Sequence, residues 1–147
     1  MIKDMRTLVF RLKSGDDLKE SLERMVQNHA IRAGFVVTCV GSLQGVVVRM
    51  AGAQPNAQDI RTFDGSYEIV SLVGTVAESG THLHVSFSDT DGVVRGGHLK
   101  EGTIVHTTAE VVLGYDEKLE FAREIDQETG FTELTVKSIF ENDKKDA

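Results

Sequence analysis

The sequence predicts an α+β fold: a single domain, mainly antiparallel or mixed β-sheet, covered by one or two helices. Three observations carry that expectation. One segment near the start repeats its apolar residues at helical spacing, whereas nearly everything after Gly34 comes in apolar, β-branched runs separated by glycine. The 147 residues, 40% hydrophobic and 27% charged, match an average globular domain. A chain of that size buries roughly 68–70% of its unfolded surface, so a core forms without metal or disulfide staples.

Taken in order, Thr7–Leu12 is apolar enough for a strand, and Ser14-Gly15-Asp16-Asp17 ends it with residues suited to turns and helix N-caps. From Asp17 to about His29 a helix is expected. Leu18, Leu22, Met25 and Val26 fall at i, i+4, i+7 and i+8, opposite Lys19, Glu20, Glu23 and Arg24. Beyond it, β-runs are read at Phe35–Val40, Val46–Ala51, Ile60–Phe63, Tyr67–Ala77, His82–Asp89, Ile104–Leu113 and Leu119–Asp126. The last could pass for a helix, yet Leu119, Phe121 and Ile125 share one side at period two, which marks a strand. Residues 52–58, with the only proline, Pro55, form a loop, and the domain is expected over 5–138 with a polar tail at 139–147.

Sixteen Lys plus Arg against twenty-three Asp plus Glu leave a formal net charge of -7, with a pI near 5.2. That sign is wrong for a domain that grips duplex DNA unaided, since such domains tend to have pI above roughly 9. Arg6, Arg11, Lys13, Arg24 and Arg32 are the members of any basic patch that the net sum hides. The lone Cys39 sits in the run Phe35–Val40 and reads as a buried, inert thiol. No apolar stretch resembles a signal peptide or a membrane span, so the expected location is cytoplasmic.

Chemistry concentrates in the middle of the chain. In Thr81-His82-Leu83-His84-Val85-Ser86-Phe87-Ser88, alternation points His82 and His84 to one face with Ser86 and Ser88, and sends Leu83, Val85 and Phe87 to the core. His98 follows the turn signal Thr90-Asp91-Gly92 and the pair Gly96-Gly97. A two-residue turn at Asp91-Gly92 would set His84 opposite Leu99 and put His98 on the wrong face. A β-bulge at Gly96-Gly97 would restore it, opposite Ser86 and beside His84. His82, His84 and His98 with an open fourth position would make a catalytic-type zinc arrangement, and one cysteine excludes a Cys-rich structural site. Exposed, pH-sensitive histidines are the alternative. His29 ends the helix and reads as a capping residue, while His106 has no evident partner. Neither phosphate-loop motif nor a GxSxG elbow occurs, and the few aromatics are not interleaved with basic residues.

The blocks Gly65–Gly74, Thr81–Leu99, Glu120–Asp126 and Thr129–Leu134, in this order and spacing, resemble the plant-and-prokaryote-conserved (PPC) domain, in particular its stand-alone prokaryotic members. The resemblance implies an α+β domain that assembles as a homotrimer, metal-binding histidines, and a DNA-binding label inherited from plant relatives. In those relatives an AT-hook supplies the DNA contacts, and no Arg-Gly-Arg-Pro segment occurs in this sequence. The pattern of His82, His84 and His98 also resembles that of acetolactate decarboxylase, a zinc enzyme. An enzyme of that type needs a carboxylate and an arginine by the metal, for which Glu68 and Arg95 are the candidates. Two readings follow: a trimeric regulatory module whose partner is DNA or a regulatory protein, or a small metal-dependent lyase acting on an oxo or hydroxy acid.

Overall fold

The computed structural model describes residues 5–139. Eight strands and one helix follow the order β1 (Arg6–Lys13), α1 (Leu18–Asn28), β2 (Gly34–Arg49), β3 (Ile60–Ala77), β4 (Gly80–Ser88), β5 (Val94–Leu99), β6 (Val105–Tyr115), β7 (Leu119–Ile125) and β8 (Thr132–Ser138). Six strands form one antiparallel sheet in the order β1-β6-β2-β3-β4-β5, and β7 and β8 form a separate hairpin. The α+β expectation holds, with one helix. The tail expected at 139–147 lies, apart from Ile139, outside the described residues. Among the described residues no helix is long and apolar enough to cross a membrane.

The glycines read as strand breaks act differently. Phe35–Val40 and, as far as Arg49, the run expected at Val46–Ala51 belong to one long strand, β2, as Ile60–Phe63 and Tyr67–Ala77 belong to β3. Register shifts between Gly41 and Leu43 and between Gln44 and Val46 bend β2 without ending it. That bend lets β2 pair with β6 along one stretch and with β5 at its far end, where Val48 faces Leu99 and Arg49 faces His98. Strands β2, β3, β4 and β5 thereby close into a ring.

The helix starts where its cap lies: an Asp17 carboxylate oxygen accepts from the Glu20 N–H at 3.0 Å, and the other accepts from the Gly102 N–H at 2.6 Å. Leu18, Leu22 and Val26, all fully buried, share one hydrophobic core cluster with Leu43, Val76, Leu83 and Leu113 of the sheet. His29 is the C-cap, with Nδ1 3.0 Å from the Met25 carbonyl, as its position suggested. Cys39 is buried, and burial pushes its thiol up to about 12, so no thiolate forms near neutral pH. Strand β8 was not among the expected elements. Only Leu134 and Val136 alternate with polar residues there, a weak signal that pairing with β7 turns into a strand.

Candidate metal centre

Strand β4 carries two of the three histidines because its other face is spent on the core. Leu83, Val85 and Phe87 are at most 2% exposed, so His82, His84 and Ser86 project from the outer face. The turn to β5 sets the third. Asp89 N–H donates to the Val93 carbonyl at 3.1 Å, which leaves Thr90-Asp91-Gly92 as a three-residue loop. Asp89 Oδ1 accepts from the N–H groups of Asp91 and Val93, and Gly92 adopts φ +76°, open to glycine at no steric cost.

This loop supplies the odd residue that a two-residue turn lacks. His84 therefore faces His98 directly, and Ser86 faces Gly96. The bulge expected at Gly96-Gly97, with His98 opposite Ser86, does not form. The two glycines instead let β5 fit between its neighbours: a Cβ on Gly96 would lie 2.6 Å from the Val85 carbonyl oxygen, and one on Gly97 2.8 Å from that of Arg49.

The three imidazoles converge. Nε2 of His82 and Nε2 of His84 are 3.2 Å apart, close to the ~3.3 Å edge of a tetrahedron with 2.0–2.1 Å metal–nitrogen bonds. One ring nitrogen from each of His82, His84 and His98 lies within 4.8 Å of the others. Burial, then the charge of Arg49, lowers His98 to about 4. Burial, then His84 and Arg123, lowers His82, with Glu133 opposing. Both rings therefore stay neutral at pH 7, the form that ligates metal.

Around the triad stand residues the sequence did not single out. Ring closure places Arg49 opposite His98, with Nη2 3.5 Å from the His98 Nδ1. The β7–β8 hairpin docks through Phe121 N–H, which donates to the Arg32 carbonyl at 2.9 Å, and through Ser79 Oγ, which donates to the Phe121 carbonyl at 2.6 Å. It brings Arg123, Phe131 and Glu133 to a cleft of about 550 Å³ that His82 and His98 also line.

Glu68 and Arg95 are placed elsewhere. Arg95 sits opposite Phe87 and pairs with Asp89 at 2.7 Å. Glu68 lines a separate concavity with Tyr67, Ser88 and His106. The carboxylate and guanidiniums beside the histidines are Glu133, Arg49 and Arg123. No local signal marks these, because their positions depend on the pairing of β2 with β5 and on hairpin docking.

The model of the Plants and Prokaryotes Conserved (PCC) domain matches residues 2–115. The bifunctional protein GlmU of Synechococcus sp. (strain JA-3-3Ab) is 36% identical over 137 residues, 93% of this chain and 21% of that protein. The chain thus spans about a fifth of the length of the curated relatives it matches. Among solved structures, a hypothetical protein from Salmonella enterica aligns with a TM-score of 0.87 at 35% identity, covering 93% of this chain and 96% of that one. A metal-containing protein from Archaeoglobus fulgidus aligns with a TM-score of 0.76 at 25% identity, covering 88% and 93%.

Proposed function

The chain belongs to the Plants and Prokaryotes Conserved domain family, and from that premise we propose that it is a homotrimeric, cytoplasmic binding module of regulatory type whose His82, His84 and His98 hold one divalent ion. The observation that carries this reading is the convergence of three imidazoles, each with a ring nitrogen within 4.8 Å of the others. Three nitrogen donors without sulfur suit zinc among the first-row ions. A relative described as metal-containing adds support. When bound, such an ion supplies a Lewis-acidic position facing the cleft. Residues 5–138 are read as the working unit.

Assembly is supported by the outer sheet face. Val9, Val40 and Val73 project from the side away from the helix and are 67%, 56% and 54% exposed, apolar side chains that contacts between copies would cover. Metal analysis of zinc-loaded protein, with its mass in solution by light scattering, tests both parts. The expected result is one ion per chain and about 48 kDa for three chains of 16.1 kDa. Affinity should fall on acidification, since protons compete for the imidazoles. A monomer mass, or no ion retained after loading, would overturn the corresponding part.

The same reading makes duplex DNA a poor ligand for this chain alone. Of the basic residues in question, Arg6 pairs with Glu117 at 3.0 Å and Arg11 stands opposite Glu110. Binding at physiological salt should be no tighter than the roughly 10⁻⁴–10⁻⁶ M of non-specific contacts. A fluorescence-anisotropy titration that returned nanomolar, sequence-selective binding would show the opposite.

A further inference from the structure

The cleft over the histidines holds two half-buried guanidiniums, neither of them in an ion pair. Among the described residues, no Asp or Glu oxygen lies within 4.0 Å of Arg49 or Arg123. Each is nevertheless held in place. Arg49 stacks over the Phe131 ring, 5.4 Å from its centroid, and Arg123 Nη2 donates to Thr75 Oγ1 at 2.6 Å. Glu133, the one acid lining the cleft, accepts from Thr129 Oγ1 at 3.1 Å. Two guanidiniums against one carboxylate leave positive charge uncompensated, and a divalent ion on the histidines would increase it. Arg123, Phe131 and Glu133 all stand on the β7–β8 hairpin, beyond the residues 2–115 matched by the family model.

We propose that this cleft binds a small molecule bearing an oxyanion, carboxylate or phosphate, with Arg49 and Arg123 as its recognition residues. A planar guanidinium offers paired N–H donors that match the oxygens of either group. Prior anchoring of both side chains reduces the ordering cost of binding. The cleft, about 550 Å³, has the size of a small-ligand site. Phe131 supplies an apolar wall, and Glu133 disfavours ligands that crowd its side with further negative charge. The inference rests on the metal reading for its tightest form, in which the ion adds attraction for the anion, while the two arginines act with or without it.

The test is calorimetric titration of zinc-loaded and of metal-free protein with malonate and, separately, with inorganic phosphate. Zinc-loaded protein should bind at least one probe with Kd below about 1 mM. The tighter probe identifies the group as carboxylate or phosphate. Arg49→Gln and Arg123→Gln should each weaken binding by about tenfold or more while zinc stoichiometry and the circular-dichroism spectrum stay as in the parent. Arg123→Lys, which keeps the charge and loses the fork, should recover part of the affinity and stands in should Arg123→Gln fail to fold. If zinc is not taken up yet metal-free protein binds a probe in an arginine-dependent way, the metal reading falls and this inference stands. Binding of neither probe by either form, or equal affinity in the arginine variants, would overturn it.

Discussion

Replacing His84 by alanine should lower the affinity for a divalent ion by about 100-fold or more and leave the metal-free fold standing. Changes to groups that merely orient a metal ligand already cost 10–100-fold, so loss of a ligand itself sets that as a floor. The fold should be spared because His84 is exposed on the outer face, opposite Val73 and His98, and its loss removes no core volume. Competition against a chromogenic chelator reads the affinity, and thermal unfolding reads the fold. The two also connect. An ion at 100 times its Kd stabilises the parent by about 2.7 kcal/mol, so added zinc should raise the parent's Tm and not the variant's. Unchanged affinity in His84→Ala would remove His84 from the centre.

Phe87→Ala, three residues further along the same strand, should do the reverse by damaging fold and site together. Phe87 is fully buried, with edge-to-face contacts to Phe63 at 5.4 Å and Tyr67 at 5.0 Å between ring centroids. Truncating a buried phenylalanine costs about 3–5 kcal/mol. For a domain of this size that is a fall in Tm on the order of 10 °C. Because Phe87 anchors the strand that presents His82 and His84, metal affinity should also weaken, though no ligand is removed. Phe87→Leu should restore most of the stability by refilling the volume. A loss below about 1 kcal/mol in Phe87→Ala would mean that β4 is not packed as described.

The two substitutions separate what alternation alone determines from what it does not. The period-two pattern of Leu83, Val85 and Phe87 against His82, His84 and Ser86 could be read directly, since a strand with one buried face has only one way to turn. The helix was readable for the same kind of reason: Leu18, Leu22 and Val26 keep helical spacing behind an Asp17 cap. The third histidine was half-readable. An odd residue had to be inserted between β4 and β5, and alternation alone does not say where. Asp89, with its two backbone partners, and Gly92, in the left-handed region, put that residue in the turn. The more conspicuous Gly96-Gly97 answers packing demands from the strands on either side, Gly96 from Val85 of β4 and Gly97 from Arg49 of β2.

What the sequence determined by itself is therefore local: the α+β class, the helix, the strand faces, and the convergence of histidines as a possibility. Only the tertiary structure decided what surrounds them. Arg49 reaches His98 across 49 residues because a bent β2 meets β5, and Arg123 and Glu133 arrive on a docked hairpin whose second strand hardly registers in the sequence. Glu68 and Arg95, nearer in sequence to the histidines, are carried elsewhere by the same pairings. The physical reason is that backbone sterics and side-chain period act over a few residues and repeat in any strand. Sheet closure and docking depend instead on which distant surfaces bury most apolar area together, which no local pattern encodes.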